Sequence, residues 1–164
     1  MNAADIQSIA PAEAITRLAQ MPPLLHRALV DASPEELRIR TEPDSFCLVE
    51  HACHLRDLER EAYAIRLHRM LSEDRPVLAQ FDGDVVARER RYVEQDAHRA
   101  CDEFAIARTA LIDRAEALSA GQMARTAVFL GRTITVCDLL AMIVEHDRGH
   151  REEIANLVSL RAAI

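Results

Sequence analysis

The sequence predicts an all-α bundle. Glycine and proline are few, at four and six of 164 residues. Apolar residues recur at the 3,4 spacing of buried helix faces, and no alternating strand pattern or two-residue hairpin signal stands out. At 49% hydrophobic, the chain can fill one sizeable core, and its length fits one domain spanning residues 1–164.

Taken in order, Pro11 to Val30 reads as helix interrupted at Pro22-Pro23, giving two short helices or one kinked one. Ser33-Pro34-Glu35-Glu36 is a helix start, with Ser33 as N-cap and Glu36 closing a capping box, stopped at Glu42-Pro43. Asp44 or Ser45 is the expected cap of a long helix from Phe46 to about Leu71. Ser72 to Asp84 has no period and reads as an ordered loop, followed by a short helical piece from Val85 to Tyr92. Asp96 opens a helix to about Leu118, with Phe104, Ala107, Leu111, Ala115 and Leu118 on its core stripe. Gln122 to Arg132 is expected as a loop or short extended arm. Thr133 or Thr135 then caps a last helix to about Leu160, with Asp138 favouring the positive end of its dipole.

Charge and composition exclude several functions. A net charge of −7 disfavours nucleic acid and anionic membranes as partners. No apolar run approaches the roughly 18–20 residues of a membrane span. The opening segment to Ile15 lacks the basic and apolar regions of a signal peptide, so a cytoplasmic location is expected. All twenty basic residues are arginine, which removes Schiff-base and phosphate-loop lysines. Cys47, Cys53, Cys101 and Cys137 form no C-x-x-C pair and read as reduced, semi-buried side chains.

Chemistry points to the histidines. On the last helix, with His146 at zero and about 100° per residue, Leu139 and Leu157 fall about 20° away and His150 about 40°. Two imidazoles therefore share the face that should be buried, one turn and roughly 5–6 Å apart. On the long helix from Phe46, His54 lies with Leu58 and Ile65 on the inward face, and His51 lies about 60° off. Three imidazoles, His54, His146 and His150, can together hold one face of a divalent ion and leave positions open for water or substrate. Imidazole suits Zn, Ni, Fe or Cu. The plainer alternative is that these rings hydrogen-bond in the core. Asp57, Glu61, Glu145 and Asp147 read as solvated or paired with arginine. His-Asp-x-x-His at 146–150 differs from the zinc-protease helix because Asp147 replaces the glutamate base. The Glu-x-x-His pairs of di-iron bundles are absent. His26, His68 and His98 have no convergent partners.

The run FCLVEHACHLRDLERE from Phe46, the FDGD loop and the terminal EHDRGH together resemble the DinB-like superfamily (damage-inducible B proteins and relatives) over roughly Leu24 to Leu160. The resemblance implies a four-helix bundle with a long crossover and extra short helices, forming a homodimer. It also implies one divalent transition metal, Zn, Ni or Fe, held by His54, His146 and His150. Activities among relatives are thiol transfer to an electrophile, thiol-dependent isomerisation and amide hydrolysis. A small-molecule substrate and a low-molecular-weight thiol co-substrate follow as expectations, against the alternative of a non-catalytic, metal-binding or stress-linked bundle. One departure is Phe46, where the family often has tryptophan.

Overall fold

In the computed structural model, which describes residues 9–161, four helical rods pack side by side. The segment preceding Ile9, where the opening residues were read for a signal peptide, lies outside the described residues. The first rod is broken: α1 (Pro11–Leu18) and α2 (Met21–Val30) meet at Ala19-Gln20. The break follows from Pro22 and Pro23, which are tolerated only in the first turn of α2. The Ser33/Glu36 capping box forms, with the Ser33 N–H donating to Glu36 at 2.7 Å, and leads one 3₁₀ turn, Glu36–Arg38.

The second rod starts later than expected. Neither Asp44 nor Ser45 caps it. Cys47 does, in a capping box with Glu50, and α3 runs Leu48–Leu58. A π-helical turn, Glu59–Tyr63, joins it to α4 (Ala64–Ser72). The crossover then runs through α5 (Gly83–Glu89), capped by Asp82, and a 3₁₀ turn at Tyr92–Glu94. The third rod is α6 (Ala97–Glu116), capped by Asp96 as expected; the short α7 (Ala120–Met123) follows, capped by Ser119. The fourth is α8 (Val136–Arg161), where Thr135 and Asp138 exchange cap hydrogen bonds.

The extended arm is a true hairpin, which corrects the expectation that no hairpin signal exists. β1 (Thr126–Phe129) pairs antiparallel with β2 (Arg132–Thr135), from Thr126 opposite Thr135 to Phe129 opposite Arg132. The two-residue turn is Leu130-Gly131, with φ of 51° and 76°. Both values are left-handed, as a hairpin of this length demands, but leucine replaces the usual asparagine or aspartate. The outer edge of β1 is covered by the crossover: Val128 N–H donates to Pro76 and accepts, through its carbonyl, from Leu78 N–H, both at 2.8 Å.

The core divides into two apolar clusters along the bundle axis. One gathers α1, α4, the hairpin and the start of α8, with Leu18, Leu67, Met70, Leu139 and Ile143. The other gathers α2, α3 and the start of α6 with the end of α8, including Leu25, Leu48, Phe104 and Leu157. Three of the four rods are polar at the level between them. There α3 and the π turn carry His54, Asp57 and Glu59, α6 carries Arg108, and α8 carries His146, Asp147 and His150.

Candidate metal centre

The mid-bundle layer brings the three expected histidines together. His54 Nε2 lies 3.3 Å from His146 Nε2, and His146 Nε2 lies 3.1 Å from His150 Nε2. One nitrogen from each ring falls within 4.8 Å of the other two. Two features make this possible: α3 packs against α8, and His146 and His150 stand one turn apart on one side of α8. The rings are fixed by packing. Phe46 and Phe81 close on His54 at ring separations of 5.4 and 6.1 Å, and Tyr63 meets His146 at 6.0 Å. Phe46 thus touches the histidines themselves and does more than pack the helix entrance. Gly83, the first residue of α5, lies so close that a methyl group on its Cα would stand 2.4 Å from His54 Cε1.

Burial keeps the His54 and His146 rings neutral. Burial, then the neighbouring His150, pushes His54 down to about 3. His146 is held well below the ordinary imidazole value by burial, His150 and His54. Neutral imidazole is the form that binds a metal. Ligands about 2.0–2.1 Å from a tetrahedral ion sit roughly 3.3 Å from one another, which matches the observed spacings. The donor set therefore fits a divalent transition ion. The Nδ1 atoms of His54 and His146 are buried with no hydrogen-bond partner among the described residues. An ion would draw the lone pairs of all three Nε2 atoms at once, where the bare trio leaves them facing one another.

A fourth histidine joins from behind. His51 Nδ1 lies 2.9 Å from His150 Nδ1, and Glu153 lies 3.3 Å from that same nitrogen. His51 is almost wholly buried and its basicity is suppressed by burial, His150 and His54. With His150 Nδ1–H donating to His51, the lone pair of His150 is directed through Nε2 toward the trio. The angle of about 60° from the inward face does not predict this contact; the i, i+3 relation of His51 to His54 is the sequence signal for it.

Beside the trio opens a cavity of about 330 Å³, lined by His54, His146, Leu58, Tyr63, Phe81 and Met142 together with Arg66, Gln80, Phe129 and Leu130. Its walls mix the apolar Leu58, Phe81, Phe129 and Met142 with a few polar groups, the two imidazoles, Arg66 and Gln80, as small-molecule sites do.

The model of the DinB superfamily matches residues 17–154. The chain belongs to the DinB superfamily. Among solved structures it resembles YfiT from Bacillus subtilis, described as a probable metal-dependent hydrolase with an unusual four-helix bundle topology. The TM-score is 0.86 at 19% identity, covering 95% of this chain and 91% of that one, so the two share the DinB fold. No curated protein matches the sequence.

Several other polar residues of this DinB chain are paired with one another. Asp57 is buried under Arg56, Arg90 and the Tyr92 hydroxyl. Burial acts to raise its carboxyl, and those three partners together hold it below the usual range. Glu61 is bound by Arg90, and Arg148 by Glu145 and Glu152; Arg151 reaches Gln20. None of Asp57, Glu61, Arg148 and Arg151 lines the cavity, and Asp57 and Glu61 are paired with arginine. Arg108, 1% exposed, clasps Glu59 at 3.0 and 2.9 Å and Asp147 at 2.5 and 3.1 Å. It ties α6 to the π turn and to the residue beside His146. Burial pushes the Cys47 and Cys101 thiols up to about 11 and Cys53 up to about 12, so none is a ready thiolate. No helix of the described residues is long and apolar enough to cross a membrane.

Proposed function

We propose that this chain is a divalent-metal-dependent enzyme acting on a small-molecule electrophile, with His54, His146 and His150 as the protein ligands. The observation that carries it is the convergence of three imidazole Nε2 atoms beside a substrate-sized cavity that His54 and His146 line. An ion held there supplies Lewis acidity that lowers the pKa of a water or a low-molecular-weight thiol toward neutrality. The chain's own residues hold the imidazoles in place, Phe46 and Gly83 against His54 on one side and the His51–His150 contact on the other. Tyr63, Phe81 and Met142 line the cavity beside the trio. The nucleophile comes from outside the chain, because its buried cysteines stay protonated at neutral pH. Metal-dependent hydrolysis is also the probable activity named for the Bacillus subtilis protein. At that distance the likeness carries the fold, and the reading here rests on this chain's histidines.

A second reading follows from the short contacts within the cluster. His51 with His150, and His146 with its two neighbours, can satisfy one another as a hydrogen-bonded core layer without chemistry. Elemental analysis of natively purified protein, with a screen of thiols and electrophiles, separates the two. We expect close to one ion per chain, and loss of both ion and turnover in His146→Ala. Stoichiometric metal in that variant contradicts the ligand assignment.

A further inference from the structure

Two of the twenty arginines are buried, and they are treated differently. Arg108 has two carboxylates. Arg66, 6% exposed on α4, has none: no acidic group lies within ion-pair distance of it among the described residues. Its Nε and one Nη donate to a single backbone carbonyl, Ala79, at 3.3 and 2.9 Å. Its other terminal nitrogen, Nη1, makes no hydrogen bond among the described residues. The guanidinium carbon lies over the Phe129 ring, 4.5 Å from its centroid, and 5.6 Å from that of Tyr63. All three side chains face the cavity that His54 and His146 also line. A buried cation without a counter-charge is unfavourable unless something supplies one.

The π turn explains how the arginine gets there. On an unbroken helix Ile65 shares the face of His54 and residue 66 points about 120° away. The π turn inserts one residue, so the pattern slips by one position. Ile65 emerges 48% exposed, and Arg66 takes the inward place. A register change that buries a charge in place of an isoleucine needs a purpose at that spot.

We propose that Arg66 anchors a carboxylate of the substrate or co-substrate, whose apolar body fills the cavity between Arg66 and the histidine trio. This rests on the enzyme reading for its location and names the substrate class: a small apolar molecule with one carboxylate set away from its reacting end. One guanidinium with one free nitrogen balances a single negative charge. A phosphate dianion would leave charge unmatched among Leu58, Phe81, Phe129 and Met142.

The probes are 3-phenylpropionate and its uncharged amide, titrated calorimetrically into metal-stripped and zinc-loaded full-length protein. The acid should bind roughly ten- to a hundred-fold more tightly than the amide in both forms, as a charge-assisted hydrogen bond implies. Arg66→Met, which keeps the stacking on Phe129, should erase the preference, and Arg66→Lys should retain part of it. Equal binding of acid and amide overturns the proposal, as does failure of both to bind. A preference that appears only with zinc and survives Arg66→Met also overturns it, because the carboxylate would then be reaching the metal. The acid-over-amide comparison in the unaltered protein stands even if Arg66→Met does not fold. Metal content measured on the same preparations reads the enzyme proposal separately. An Arg66-dependent preference in a protein that binds no zinc would sink that reading and leave the anchor standing.

Discussion

Gly83→Ala tests how tightly the crossover holds the candidate centre. The added methyl would lie 2.4 Å from His54 Cε1 and 2.7 Å from its Nδ1, where ordinary contact begins at 3.4 Å. One partner has to retreat by about 1 Å, far beyond the roughly 0.2 Å tolerance of metal–ligand distances. The imidazole is the softer side. Gly83 starts α5, whose cap is fixed by Asp82 and whose Ala87 is buried in the core, while the ring has no hydrogen bond at Nδ1. Displacing one of three ligand rings should weaken zinc binding about 10- to 100-fold, the range seen when groups supporting a ligand are lost. Competition with a chromophoric chelator measures it, with circular dichroism to check that the fold is retained. Zinc affinity equal to the unaltered protein would show that α5 yields instead, and that His54 is not held by this contact.

Other expectations follow from the same polar layer. Arg108→Met strands Glu59 and Asp147 without their cation and should lower unfolding stability by about 3–5 kcal/mol in urea. A loss under about 1 kcal/mol would mean that both carboxyls simply take up protons. Metal-stripped protein should weaken in mild acid. His51, His54 and His146 resist protonation when folded, whereas an unfolded histidine titrates near about 6.5, so the stability present above that pH is lost as pH falls. Each refused proton is worth about 1.4 kcal/mol per pH unit, or about 4 kcal/mol for the three at pH 5.5. Urea midpoints that do not change between pH 7.5 and 5.5 would contradict this. Leu130→Asn should relieve a left-handed leucine in the hairpin turn and raise stability by about 1 kcal/mol, read as a higher melting temperature.

The periodicity of α8 and the caps at Ser33, Asp96 and Thr135 were legible because they depend on neighbours within a few residues. The His146–His150 pair was legible for the same reason. That His54 meets them depends on α3 packing against α8, which the resemblance to a family supplied and spacing could not. Arithmetic at 100° per residue failed beyond Leu58, because nothing local announces the π turn that exposes Ile65 and buries Arg66. The hairpin was hidden by its short strands and a Leu-Gly turn. Its β-branched residues at 126–135 were the available sign, and its pairing with Pro76 and Leu78 is a long-range contact. His51 was passed over because an angle from one face says nothing about a partner on another rod.

X-ray absorption at the metal edge of the loaded protein tests the centre most directly. Three imidazole nitrogens at about 2.0–2.1 Å are expected in the unaltered chain, falling to two in His54→Ala and unchanged in His68→Ala. An imidazole count that does not respond to the loss of His54 would contradict the assignment.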